Sequence, residues 1–136
     1  SSSDLKKVLT EASRRGHLEV VKVIMGSGNF KKLSSSDLKE ISIVALRCRY
    51  KEIVKVIMAS DKFKNIRAPN LKEVLVEALK VDGIEIATAI IASDKFKNIL
   101  AFDSKEILIE ALRCGYKGIA EAIHLLRKAG SSVQKA

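Results

Sequence analysis

Residues 12–25 read ASRRGHLEVVKVIM. One helix ends there, the chain turns at Gly16-His17, and a second, apolar helix begins. The same unit returns three more times, always 33 residues further on. VKVIM stands at Val21–Met25 and again at Val54–Met58. DKFKNI stands at Asp61–Ile66 and Asp94–Ile99, and ALRC-x-Y at Ala45–Tyr50 and Ala111–Tyr116. Self-similarity at a fixed period marks an array of stacked supersecondary units. The units are about 1–33, 34–66, 67–99 and 100–136, within a single repeat domain, 1–136. The expected fold class is all-α, a right-handed solenoid of four helix-turn-helix repeats.

Each unit opens with a helix-start signal. Asp4, Asp37, Asn70 and Asp103 recur every 33 residues, and Asp and Asn are favoured N-caps. Glu40, Glu73 and Glu106 follow three residues later, as in a capping box. Pro69 precedes Asn70 and fits a helix that begins no sooner. First helices are expected at about 5–15, 38–48, 71–81 and 104–114. Second helices are expected at about 18–26, 51–59, 84–92 and 117–128. The second set is apolar nearly all round and is expected to be the more buried. A connection of about ten residues closes each of the first three units. Phe30, Phe63 and Phe96, with Leu33, Ile66 and Ile99, should pin it to the stack as a single helical turn.

Composition agrees with an array of helices. Apolar residues make up 47% of the chain, so a core is within reach, and aromatics only 4%, too few for a β-sandwich. The longest strongly apolar stretch, Ile84–Ala92, is far short of the roughly 20 residues of a membrane span. The start, SSSDLKK, has no apolar leader core. A soluble, cytoplasmic chain is expected. Cys48 and Cys114 occupy equivalent positions two units apart, too far for a disulfide in a stack; buried free thiols suit a reducing compartment. Thr10 and Ser13 replace the Ile/Val and Leu of later units, which reads as a polar N-terminal cap. His124 and the tail SSVQKA suggest an end at the other side, so the array is expected to be complete and monomeric.

ASRRGHLEVVKVIMGSG resembles the second half of an ankyrin repeat, whose period is also 33, and SDLKKVLTEASRRG resembles the N-terminal cap of designed ankyrin proteins. The family's Thr-Pro-Leu-His is replaced by Lys7-Val8-Leu9-Thr10, and its β-hairpin segment by GNFKKL or DKFKNI, so its projecting fingers are expected to be altered or missing. The resemblance implies a binding module without catalysis. It also implies protein recognition through loop tips and the concave first-helix face, and a structural turn role for His17.

The formal net charge is +9, which favours an acidic protein, nucleic acid or an anionic surface as partner. Three basic ladders repeat with the units. The first is Lys6, Lys39, Lys72 and Lys105; the second is Arg14, Arg47, Lys80 and Arg113. The third is Lys31, Lys64 and Lys97, with Lys32, Lys62, Arg67 and Lys95 beside them. The second ladder lies in the last turns of helices, where cations suit the helix dipole, with Glu11, Glu77 and Glu110 three residues before three of its members. The loop lysines have no helix to stabilise. The partner-binding set is therefore the second and third ladders, and the expected partner is an acidic protein.

Sequence-tolerant nucleic-acid binding along the stripes is the alternative, with few aromatics to stack on bases. A designed array with no natural partner is a third reading. His17 and His124 lie at no zinc-ligand spacing, neither cysteine has a histidine beside it, and no glycine-rich phosphate loop occurs. No metal, cofactor, small-molecule substrate or enzymatic activity is expected.

Overall fold

The computed structural model describes residues 2–102 and 104–135, with side chains described for 3–101 and 104–128. Asp103, expected as an N-cap, lies outside the described residues. Every regular element among the described residues is a helix. The order is α1 (Ser2–Arg15), α2 (Leu18–Gly26), a 3-10 turn (Gly28–Lys32), α3 (Ser35–Arg47), α4 (Lys51–Met58), α5 (Asp61–Lys64), α6 (Ala68–Lys80), α7 (Ile84–Ile91), α8 (Phe96–Phe102), α9 (Lys105–Arg113) and α10 (Lys117–Lys135). The long first helices form one row: α1 packs on α3, α3 on α6, and α6 on α9. Each also packs on the second helix of its own unit, and α2, α4 and α7 form a second row beside the first.

One backbone device makes each turn. Gly16, Arg49, Asp82 and Gly115 all take positive φ, 75°, 64°, 62° and 81°. The next residue's amide then reaches back to an alanine carbonyl: His17 to Ala12, Tyr50 to Ala45, Gly83 to Ala78 and Tyr116 to Ala111, at 2.7–2.9 Å. This is the long bond of a Schellman motif, and it satisfies a carbonyl that the helix end would leave bare. The four alanines are buried, and their small side chains let the returning chain come close.

The first helices of the first three units start about one turn before the sequence expectation, whereas α9 and the second helices start where expected. Ser34, not Asp37, caps α3. The Ser34 hydroxyl accepts from the Asp37 amide and the Asp37 carboxylate accepts from the Ser34 amide, both at 3.0 Å, so Asp37 fills the third-residue place of the capping box. Arg67, not Asn70, precedes α6, and Pro69 sits inside the first turn, where its missing N–H leaves nothing unpaired. Asp4 likewise lies in the first turn of α1 and meets the positive end of its dipole.

Burial also corrects two expectations. The first helices are the more deeply packed set: α6 buries six residues and α4 three. A first helix in mid-row is covered by a helix on each side as well as by its own partner, whereas α2 keeps Val20 and Val23 exposed. Cys48 and Cys114 are exposed rather than buried, because each is the last residue before the turn, where the chain leaves the core. The compartment argument that rested on their burial does not hold. The loop anchors are placed as expected: Phe30, Phe63 and Phe96 are buried, with Leu33, Ile66 and Ile99 beneath them.

Candidate interaction surface

The first basic ladder is consumed in the packing. Lys6 pairs with Glu40 and, at 3.6 Å, with Asp37; Lys39 meets Glu73 at 3.0 Å; Lys72 meets Glu106 at 2.8 Å. Each lysine reaches the glutamate 34 residues ahead, on the next first helix. The hydrogen bond to Glu40 raises the Lys6 pKa above its ordinary value.

The second ladder is mostly paired too. Arg14 and Arg15 both hold Glu11, and the hydrogen bond from Arg15, with the two positive charges, lowers the pKa of that carboxyl. Arg47 reaches Glu77 on the next first helix at 3.1 Å, and Arg113 holds the buried Glu110 at 3.1 Å. Lys80 makes no ion pair among the described residues. It borders a shallow groove of about 370 Å³ with Lys105, Arg113, Glu106, Glu110 and Ile109. A wider groove of about 710 Å³ runs over Thr10 and Ile43 between α1 and α3.

The third ladder is different, although Lys31, Lys32, Lys62, Lys64 and Lys97 lie in short helical segments rather than outside any helix as expected. Lys31, Lys32, Lys64, Lys97 and Arg67 are exposed, and none makes an ion pair among the described residues. Lys62 is half-buried. Lys95 is not free: its ammonium donates to the Ile66 carbonyl at 2.6 Å and ties its loop to the preceding one. Asp61 and Asp94 are the acids of these loops. The anchors beneath hold the backbone, and Ser60 adds a hydroxyl that accepts from the Phe63 amide at 3.2 Å. The cations therefore stand on a fixed frame.

Some contacts escaped the sequence reading. Lys55 crosses to Glu85 at 2.7 Å, and its hydrogen bond and charge lower the Glu85 pKa. Arg49 donates to the Val81 carbonyl at 2.9 Å, and the Tyr116 hydroxyl donates to Asp82. The 34-residue spacing of Lys39 from Glu73 and of Lys72 from Glu106 was present in the sequence and was the signal for the first set.

Among the described residues no group of three His, Cys, Asp or Glu comes together as a metal site would need, and no helix is long and apolar enough to cross a membrane. Compared with protein-family models, with curated proteins and with solved structures, the chain matches none.

Proposed function

We propose that the chain is a non-catalytic interaction module, an ankyrin-like right-handed solenoid of four units, that binds an acidic protein partner along its loop edge. One observation carries this reading. The helix ladders are largely spent on ion pairs within the chain, while Lys31, Lys32, Lys64, Lys97 and Arg67 are exposed and make none among the described residues. The buried phenylalanines support it further, since a preordered edge loses little entropy when it binds. The excess positive charge speeds encounter with an acidic surface. Lys95 and most of the second ladder drop from direct contact to supporting roles.

The test is fluorescence anisotropy of a labelled poly-glutamate peptide, a duplex DNA and a single-stranded RNA at about 0.15 M salt, where charges are screened beyond about 8 Å. The peptide should bind and should be released by Lys31→Glu, Lys64→Glu and Lys97→Glu together, but not by Lys39→Gln. No peptide binding would overturn the reading. Tighter nucleic-acid binding with a steep salt dependence would assign the same lysines to phosphates instead.

A further inference from the structure

The two end faces of the helix row expose what the middle buries. Leu46 and Leu79 occupy equivalent positions and are 3% and 1% exposed; Leu112, their equivalent in α9, is 62% exposed. Ile109 is 44% exposed where Val76 is 5%. These positions are covered by the following first helix, and among the described residues α9 has none after it in the row. The opposite face behaves in mirror fashion. Ile41, Val74 and Ile107 are fully buried against the preceding helix, while their equivalent Val8 is 53% exposed. Val20 is 43% exposed where Ile53 and Ile86 are 2%. Ser13, expected to be part of a polar cap, is instead fully buried. The face that points away from the row carries valines.

We infer that the chain associates with copies of itself head to tail, the α9–α10 face of one copy seating on the α1–α2 face of the next. The molecule carries both halves of its own inter-unit interface, and they point in opposite directions. Such a contact is heterologous, so it does not close on itself as a two-fold dimer does. The occupant is another copy because the junction continues the interface that already joins α1 to α3, α3 to α6 and α6 to α9.

Charge neither drives nor blocks the junction. In the interior, Lys39 meets Glu73 and Lys72 meets Glu106. Carried across a junction, the same offset sets Lys105 of one copy beside Lys7 of the next, because Lys7 stands where the later units have glutamate. The offset of Lys55 to Glu85 sets Glu121 beside Glu19. The offsets of Arg47 to Glu77 and of Lys6 to Asp37 are complementary, setting Arg113 beside Glu11 and Lys105 beside Asp4. Two like-charge contacts offset two favourable ones, so the apolar centre carries the junction and association persists as salt screens the charges.

Sedimentation of the chain over a range of concentrations tests this, at low salt and at about 1 M, where screening reaches about 3 Å. The average mass should rise with concentration at both. Lys7→Glu restores the interior pair and should tighten association at least about tenfold. Leu112→Glu and Val8→Glu change exposed side chains, so neither threatens folding, and each alone should be monomeric. Mixed together they should form a one-to-one dimer that grows no further, since each keeps the face the other has lost. Four results would each overturn the inference: a monomer in both the parent and Lys7→Glu, association that survives either glutamate variant, the absence of the mixed dimer, or loss of association at high salt.

Discussion

The Tyr116 hydroxyl donates to the Asp82 carboxylate and so joins two turns 34 residues apart. Asp82 holds a positive φ of 62°, which fixes the direction of its side chain toward the next turn. Neighbouring turns are joined by other means: the Tyr50 ring lies over Gly16, and Arg49 bonds the Val81 carbonyl.

Burial, and then the hydrogen bond to Asp82 and its charge, push the Tyr116 phenol up to about 12 from 10.0. A raised pKa means that the folded state resists losing the proton. The contact therefore contributes fully below pH 10 and is lost as pH rises toward about 12. Denaturant unfolding across that window should show stability falling in the parent and falling less in Tyr116→Phe. A flat parent profile would count against the bond.

Gly16→Ala should be clearly worse than Gly115→Ala. Both glycines have positive φ, so either change costs about 1–2 kcal/mol of backbone strain. At Gly16 the new methyl would also stand 2.6 Å from the Tyr50 ring, whereas nothing lies within 4 Å at Gly115. Thermal unfolding should show the larger loss at Gly16, and Gly16→Ala should cost less in a Tyr50→Ala background.

Ser42 is fully buried in α3 and its hydroxyl has no hydrogen-bond partner among the described residues. Leu9 and Leu75 occupy the equivalent places. Removing the bare hydroxyl should help by up to about 1 kcal/mol, so Ser42→Ala should unfold at equal or higher denaturant. A marked loss would mean that the hydroxyl is satisfied.

The Lys55 to Glu85 pair, joining α4 to α7, sets an acid limit. The lowered carboxyl pKa contributes stability above about pH 4.5, and that contribution is lost as pH falls below it. Lys55→Gln should flatten this part of the acid unfolding profile, and added salt should do the same to the parent.

The helix pairs, their turns and the loop anchors were legible because they depend on local chemistry. Helical spacing of apolar residues, glycines at Gly16 and Gly115, and a Phe three residues before an aliphatic each act over a few neighbours. The start of α3 was read a turn late because Asp37 suits both a cap and a first turn; only the reciprocal bonds with Ser34 distinguish the two. Cys48 was misplaced because an apolar residue at a helix end can face in or out, and the turn geometry at Arg49 sends it out.

The sequence by itself determined the 33-residue period, the all-helical character, and three families of cations at fixed positions. Only the tertiary structure decided which cations are spent and which are free. Lys39 and Lys97 are equally basic on paper, but Lys39 lies within 3.0 Å of Glu73 on the adjacent helix, and Lys97 stands on the loop edge with no such neighbour among the described residues. The reason is physical: spacing along one helix sets which face a side chain takes, but an ion pair needs the position and rotation of the helix beside it. The same holds at Val8 and Leu112, whose exposure depends on what packs against them.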